Sequence, residues 1–175
     1  MSDEHLPPVL DPACGGRQFY FDKSDERVLF GDIRDLDEVT FTNNQRYSVK
    51  PDQLMDFRAL DFPDESFSVV IFDPPHSRYA GTGWVGVKYG SLDKDTWRDD
   101  LKRGFAECFR VLKTGGVLIF KWAEPDIKVS EILALTDQKP LIGHPSGKRM
   151  STHWITFIKA PSETAAALAE PTEHQ

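Results

Sequence analysis

The feature that most constrains the fold is a pair of nearly unbroken apolar runs in the middle of the chain. Residues 68–72 read Ser-Val-Val-Ile-Phe, and residues 117–120 read Val-Leu-Ile-Phe. Runs of this kind predict strands that are buried on both faces, as in a parallel sheet covered by helices. No stretch of the sequence is as long and apolar as a membrane-spanning helix, so we expect no membrane partner.

Other apolar segments flank these two runs and alternate with helix-like or irregular segments. Strands are predicted at Pro8–Asp11, Arg27–Phe30, Gln53–Asp56, Ser68–Phe72, Gly116–Trp122, Lys139–Gly143 and Thr152–Lys159. Helices are predicted from Asp93 to Leu112, where apolar residues recur every three or four positions, and from Lys128 to Thr136. This alternation predicts an open α/β sheet, whose ligands bind at the carboxyl ends of the strands.

Length and charge set further limits. The 175 residues suit one domain, which we expect at residues 8–160, with residues 1–7 and 161–175 disordered because they offer little to bury. A net charge of −7 argues against tight, unaided binding to nucleic acid, because such affinity rests largely on phosphate neutralisation. Two cysteines and five histidines show no metal-ligand spacing. We therefore expect a cytoplasmic protein with reduced thiols and no metal.

Acidic residues stand at the ends of the first three predicted strands. After Asp11 the chain enters a turn of small residues, 12–16, which lets a ligand approach the backbone closely. Asp32 follows the second strand, where a carboxylate is placed to accept hydrogen bonds from ribose hydroxyls. Asp56 ends the third strand and precedes Phe57.

The strongest signal is Asp73-Pro74-Pro75-His76, which directly follows the apolar run at 68–72. Two successive prolines fix the backbone, so the side chain before them and the carbonyls between them are held in one orientation. An exocyclic amine of a nucleobase is a poor nucleophile, because its lone pair is delocalised into the ring. A fixed carboxylate and a fixed carbonyl can accept both amine hydrogens, which favours a pyramidal nitrogen with an available lone pair.

These motifs, in this order, resemble those of the class I S-adenosylmethionine-dependent methyltransferases. The similar segments are Asp-Pro-Ala-Cys-Gly-Gly at 11–16, Phe-Pro-Asp-Glu-Ser-Phe at 62–67 and Arg-Val-Leu-Lys-Thr-Gly-Gly at 110–116. Residues 73–76 resemble the Asp/Asn/Ser-Pro-Pro-aromatic motif of the nucleic-acid amino-methyltransferases. The resemblance implies a Rossmann-like, seven-stranded α/β sheet, mostly parallel, with an antiparallel last strand and helices on both faces.

The resemblance also implies which residues bind the cofactor, S-adenosyl-L-methionine. On that basis the cofactor-binding residues are Asp11, Pro12, Ala13, Cys14, Gly15, Gly16, Asp32, Ile33, Asp56, Phe57 and Asp73. Asp56 is expected near the adenine amino group of the cofactor, with Phe57 beside the ring. The catalytic residues are Asp73, Pro74, Pro75 and His76. The implied substrate is an exocyclic amine of a DNA or RNA base, flipped out when it comes from a duplex.

Two positions depart from the family's pattern. Arg17 stands where the last glycine of the first turn is usual. This departure leaves open the alternative that the chain is a module that binds the cofactor but transfers no methyl group. His76 stands where a Tyr, Phe or Trp usually stacks on the target base, which leaves the base undetermined. His76 and the acidic charge together favour the alternative of a small-molecule or protein side-chain substrate.

Residues 77–91 combine four glycines with aromatic and basic side chains. The segment is interpreted either as a lid that orders over the substrate or as a merely mobile loop. As a lid it supplies the substrate-binding residues Arg78, Tyr79, Trp84 and Lys88, the aromatic ones by stacking on a base and the basic ones by contacting phosphate. Little of the chain is left for a target-recognition domain, so selection of the nucleic-acid substrate is expected to come either from the loops or from a protein partner.

Overall fold

The computed structural model describes residues 6–41, 44–79, 81, 83–146 and 151–161. Its elements, in chain order, are β1 (Val9–Asp11), β2 (Val28–Asp32), β3 (Leu36–Thr40), β4 (Arg46–Val49), β5 (Gln53–Leu54), β6 (Phe67–Phe72), α1 (Trp84–Tyr89), α2 (Trp97–Val111), β7 (Leu112–Ala123), α3 (Val129–Leu133), β8 (Ile142–Ser146) and β9 (Thr152–Ile158). Most of the two ends predicted to be disordered, residues 1–5 and 162–175, lies outside the described residues.

Seven strands form one sheet, in the spatial order β5-β2-β1-β6-β7-β9-β8. Neighbouring strands are parallel from β5 to β7, whereas β9 pairs antiparallel with both β7 and β8. The last strand is thus the antiparallel one, which confirms the predicted fold class. The chain extends outward from β1 in both directions, so the carboxyl ends of β1 and β6 flank the point where strand order reverses. Ligands bind in the crevice at such a point.

The hydrophobic core lies between one face of this sheet and helix α2. Leu101 and Phe105 are fully buried on that helix, because its apolar residues repeat at helical spacing and so share one face. Phe105 packs against Phe72 and Phe120 of the two central strands, at ring-centroid distances of 5.5 and 4.9 Å. Helix α3 adds Ile132 to the same core.

The opposite face of the sheet carries no helix among the described residues, which corrects the expectation of helices on both faces. Its half-buried apolar side chains include Val9, Val69, Ile71, Ile119 and Trp154. These side chains border a groove together with part of the irregular segment 12–27. Gly15 and Arg17 in that segment have φ angles of 50° and 52°, which a right-handed helix does not accommodate.

Along the chain, β3 and β4 come between β2 and β5 and form a separate hairpin. This hairpin was not predicted from the sequence. Strand β8 begins at Ile142 rather than at Lys139, because its pairing with β9 sets its bounds. Helix α2 begins at Trp97 rather than at Asp93. In the part of the chain that is described, no helix has the length and apolar character needed to cross a membrane.

Candidate active site at the carboxyl edge of the sheet

Asp73 follows β6 directly and lies at the edge where the strand order reverses. Its Oδ2 atom accepts a hydrogen bond from Nζ of Lys121, at 2.8 Å. Its Oδ1 atom lies 2.9 Å from Nε2 of His76, but the two atoms are not aligned for a hydrogen bond. Both atoms are buried and have no other hydrogen-bond partner among the described residues. Oδ1 of Asp73 and Nε2 of His76 therefore face each other and are both shielded from solvent.

The carboxyl group of Asp73 is held in its charged form. Burial raises its pKa, but the neighbouring His76 and Lys121 outweigh that effect, and the pKa lies below its usual value. Asp73 is therefore a carboxylate at neutral pH. It is an acceptor of hydrogen bonds and not a donor.

The two prolines and His76 form the wall behind Asp73. Pro74 is buried, and Pro75 lies close to Gly90, where an added Cβ would come within 3.3 Å of its ring. The His76 ring packs edge-on against Trp122, with 5.0 Å between centroids. His76 thus lies against the core and not on an open surface.

The small-residue turn after β1 forms the opposite wall of the same crevice. Gly15 donates its backbone N–H to Oδ2 of Asp32, at 3.0 Å, and its φ of 50° favours glycine. A Cβ at Gly16 would lie 2.6 Å from the ring of Tyr47 on β4. The turn therefore needs small residues to pack against the hairpin as well as to leave the crevice open.

Asp11 supports this turn from below and is fully buried. It accepts hydrogen bonds from the backbone N–H of Ala13, at 3.1 Å, and from the hydroxyl of Tyr20, at 2.8 Å. Burial raises its pKa to about 7, against the opposing effect of these two hydrogen bonds. Asp11 shapes the turn but does not line the crevice.

Asp32 is engaged by an arginine that sequence reasoning missed. Nε of Arg34 donates to Oδ1 of Asp32 at 2.9 Å, and its guanidinium also donates to the carbonyl of Val87 at 3.2 Å. Arg34 thereby links the end of β2 to helix α1. The signal in the sequence is an acidic residue with an arginine two positions on, a pattern that Asp56 and Arg58 repeat.

Asp32 and four other predicted cofactor residues lie outside the crevice that holds Asp73. Asp56 forms a salt bridge with Arg58, at 2.7 Å. Phe57 packs against Phe72, with 5.3 Å between ring centroids, and so belongs to the core side of the sheet. Ile33 is 59% exposed, and Pro12 is buried beneath the turn.

Asp73 lines the first of two adjoining cavities. The first has a volume of about 210 Å³ and is lined by Ala13, Cys14, Gly15, Gly16, Gln18, Phe19, Arg34, Tyr47, Asp73, Pro74, His76, Lys88, Tyr89 and Lys121. The second has a volume of about 790 Å³ and lies under the segment that contains Tyr79, Val85 and Gly90. His76, Tyr89 and Lys121 line both cavities. The first is smaller than the ~300–1,000 Å³ typical of ligand sites.

The segment after Asp73 folds over the first cavity. Tyr47 donates its hydroxyl hydrogen to the carbonyl of Lys88, at 2.5 Å, and Arg34 holds the carbonyl of Val87. These two contacts come from the hairpin and from the end of β2. Both contacts hold residues 87–88 over the first cavity and so narrow its opening.

The four predicted substrate residues form two cation–π pairs, Arg78 with Tyr79 and Lys88 with Trp84, each with 5.3 Å between the cation and the ring centroid. Tyr79 is 64% exposed and lines the second cavity, whereas Lys88 lines the first. Trp84 packs on Phe41, with ring centroids 4.4 Å apart, and lines neither of the two cavities. Arg78 is paired with Asp126 at 2.9 Å.

Sequence reasoning also missed Lys121 and Tyr89. Lys121 was a lone cation within an apolar strand pattern, flanked by Phe120 and Trp122. An isolated charge in a strand that is otherwise buried was the available signal. Tyr89 stood among other aromatic residues of the glycine-rich segment and had no distinguishing pattern.

Comparison with known proteins bears on the fold. No protein-family model matches the chain, and no curated protein matches it. The chain is similar to a TehB-like SAM-dependent methyltransferase from Corynebacterium glutamicum, at 11% identity and a TM-score of 0.55, over 89% of this chain and 81% of that one. It is also similar to a SAM-dependent methyltransferase from Methanosarcina mazei, at 14% identity and a TM-score of 0.53, over 88% of this chain and 92% of that one. The chain therefore has the fold of SAM-dependent methyltransferases.

Proposed function

We propose that the chain is an S-adenosylmethionine-dependent methyltransferase that acts on an exocyclic amino group of a nucleobase. The observation that carries the proposal is the buried, ionised carboxylate of Asp73, whose Oδ2 is bound by Lys121 and whose Oδ1 lies beside Nε2 of His76. This carboxylate lies at the edge of the sheet where this fold binds its ligands.

The residues present fit the cofactor. Ala13, Gly15 and Gly16 offer close approach to the backbone along one wall of the first cavity. Lys88 lines the same cavity and offers an ammonium group to the carboxylate of the cofactor's amino-acid moiety. When bound there, S-adenosylmethionine supplies a methyl group that is carried by its sulfonium sulfur. The sulfur leaves as a thioether when the substrate nitrogen takes up the methyl carbon.

Asp73 prepares the amine for reaction. Its carboxylate accepts one amine hydrogen, and the carbonyl of Pro74, fixed by the ring of Pro75, is the second acceptor within the motif. With both hydrogens held, the nitrogen lone pair is free of the ring and directed toward the methyl donor. The carboxylate can also take up the proton that the nitrogen releases, so that charge balances at the end of the step.

Tyr79 and Tyr89 make the second cavity suitable for a flat ring. Both line that cavity, which adjoins Asp73 through His76. Aromatic side chains stack on any base, whatever its sequence context. Helix α1 covers the first cavity as a lid, with Tyr47 and Arg34 holding it closed.

A small metabolite with an amino group is the second candidate substrate. The observation that favours it is the packing of His76 against Trp122, which removes the usual stacking platform beside Asp73. The net charge of −7 also disfavours polyanions that bind without help. This candidate keeps the same cofactor and the same role for Asp73.

Methyl transfer from tritiated S-adenosylmethionine tests the proposal and separates the two substrates. We expect label in DNA or RNA, recovered as an N-methylated nucleoside after digestion. Asp73→Ala should lower kcat by about 10²–10⁴-fold while cofactor affinity changes little, because Asp73 acts mainly on the reacting amine. Asp61→Ala removes an exposed carboxylate remote from the site and is the matched control.

Label found only in small molecules would favour the second candidate. Cofactor binding without transfer to any acceptor, and an Asp73→Ala protein indistinguishable from the unmodified one, would overturn both.

A further inference from the structure

We propose that Lys121 is a positioning residue, which binds Oδ2 of Asp73 and so fixes the orientation of this carboxylate at the edge of the crevice. The inference rests on the proposed function, because it assigns Lys121 a role in the same reaction. It adds a residue from β7 to a site that the sequence motif places entirely after β6. Three observations carry it.

The first observation is the register of the two central strands. Phe72 of β6 pairs with Phe120 of β7, so the next residues along the two parallel strands are neighbours at the same edge. Those residues are Asp73 and Lys121. Nζ of Lys121 binds Oδ2 at 2.8 Å, whereas Oδ1 lies 2.9 Å from Nε2 of His76. The two oxygens of the carboxylate therefore face different partners, and the pairing of the strands supplies the partner of Oδ2.

The second observation is that Lys121 is itself held in place. Its side chain is 19% exposed. Its Nζ lies 5.7 Å from the ring centroid of Phe19 and 5.8 Å from that of Trp154. Aromatic faces at about 6 Å attract a cation, and two of them restrict where a flexible ammonium group can go. Lys121 also lines both cavities, which places it where cofactor and substrate meet.

The third observation is the set of charged and titratable groups that face Asp73. Lys121 approaches from β7 and His76 from the loop that follows Asp73. Asp11 and Tyr20 act on it from the side of β1 and the first turn. His76 and Lys121 together offset the effect of burial on the pKa of Asp73. Without Lys121, Asp73 would take up a proton more readily and lose the acceptor that the amine needs.

The experiment compares Lys121→Met with Lys121→Arg in the full chain. Lys113→Met is the control, because Lys113 lies on the same strand but is exposed and outside both cavities. The first readout is the titration of the Asp73 side-chain carbon, followed by NMR on aspartate-labelled protein. The second is the pH dependence of kcat for methyl transfer. Circular dichroism confirms that each variant is folded.

We expect Lys121→Met to raise the pKa of Asp73 by at least about one pH unit and to shift the acid limb of the kcat profile to higher pH by the same amount. The value of kcat on that limb should fall at least about tenfold, with cofactor Kd nearly unchanged, because Lys121 acts through Asp73. Lys121→Arg should restore most of both properties, and Lys113→Met should change neither.

An Asp73 titration in Lys121→Met that matches the unmodified protein would overturn the inference, as would an equal loss in Lys121→Arg and Lys121→Met. The NMR titration needs no methyl acceptor. It therefore tests Lys121 even if the unmodified protein transfers no methyl group to nucleic acid, which would be a failure of the proposed function alone.

Discussion

At the scale of single residues, three aspartates at the ends of neighbouring strands differ because their partners differ. Asp11 has a tyrosine hydroxyl and a backbone N–H as partners, Asp32 has Arg34, and Asp73 has Lys121. Burial favours the neutral form of Asp11 and of Asp73. Only Asp73 combines a neighbouring cation with an oxygen that has no hydrogen-bond partner. The chemistry therefore depends on the partners of each carboxylate and not on the number of carboxylates.

Asp11 should make stability depend on pH. Its pKa rises from 3.8 to about 7 on folding, so the folded state binds a proton that the unfolded state releases between those values. The contribution of Asp11 to the free energy of unfolding is fully present below about pH 4 and is lost as the pH rises to about 7. At ~1.36 kcal/mol per pH unit this amounts to at most about 4 kcal/mol. Urea unfolding of the unmodified protein and Asp11→Asn measures it.

The difference in unfolding free energy, unmodified protein minus Asp11→Asn, should fall steadily from pH 4 to pH 7. Taking the difference cancels the other carboxylates, which titrate in both proteins. A difference that stays constant or grows with pH would show that Asp11 is not held neutral by burial.

Arg17 shows how a departure from a family pattern is accommodated. Its backbone adopts a φ of 52°, a conformation that suits glycine. Its guanidinium donates to the carbonyls of Lys23 and Lys50 and forms an ion pair with Asp52 at 2.7 Å. The side chain thus links the first turn to the connection before β5 and offsets the unfavourable backbone. These contacts give Arg17 a structural reason to be there, so it does not argue for a non-catalytic module.

At the scale of elements, helix α2 is the main cover of the core and depends on one close contact. Gly104 faces the sheet, and an added Cβ would lie 2.7 Å from Phe57 and 2.8 Å from Phe72. We expect Gly104→Ala to destabilise the fold by about 1–3 kcal/mol, because overpacking outweighs the ~1 kcal/mol by which alanine favours a helix. The measurement is urea unfolding.

Gly83→Ala is the matched control, because a Cβ at Gly83 meets nothing within 4 Å. It should change the unfolding free energy by less than about 0.5 kcal/mol. A Gly104→Ala protein as stable as the unmodified one would mean that α2 can move away from the sheet at little cost.

Elements differ in how far the sequence reveals them. The strands β6 and β7 were predictable because each contains an unbroken apolar run. The hairpin β3–β4 was not, because its strands are short and β3 is largely exposed, so neither shows a regular apolar pattern. The sheet face that carries no helix among the described residues was also not predictable. The segment beside it has left-handed backbone at Gly15 and Arg17, which prevents a helix there.

The candidate site was predictable in part for the same reason. Asp73 was identified because the two prolines that fix it are adjacent in sequence. Lys121 lies 48 positions away and becomes its neighbour only through the pairing of β6 with β7. Arg34 and Tyr47 similarly acquire their roles from contacts with the segment at 87–88. Contacts between distant segments need the strand register, which one sequence does not supply.

At the scale of the whole molecule, one edge of one sheet gathers the groups that the proposed reaction needs. The turn at 13–16, Asp73 and Lys121 come from three neighbouring strand ends. The described helices that pack on the sheet cover its other parts and leave this edge to loops. A fold of this kind keeps its reactive groups on rigid strand ends and its coverings on adaptable segments.

The central claim is that Asp73 faces the methyl group of a cofactor bound against the first turn. A crystal structure of the full chain with S-adenosylhomocysteine tests it most directly. The account predicts the ligand along residues 13–16, with its sulfur beside Oδ1 of Asp73 and a slot for a flat ring open next to His76. A ligand whose sulfur points away from Asp73, or one bound elsewhere on the molecule, would contradict the account.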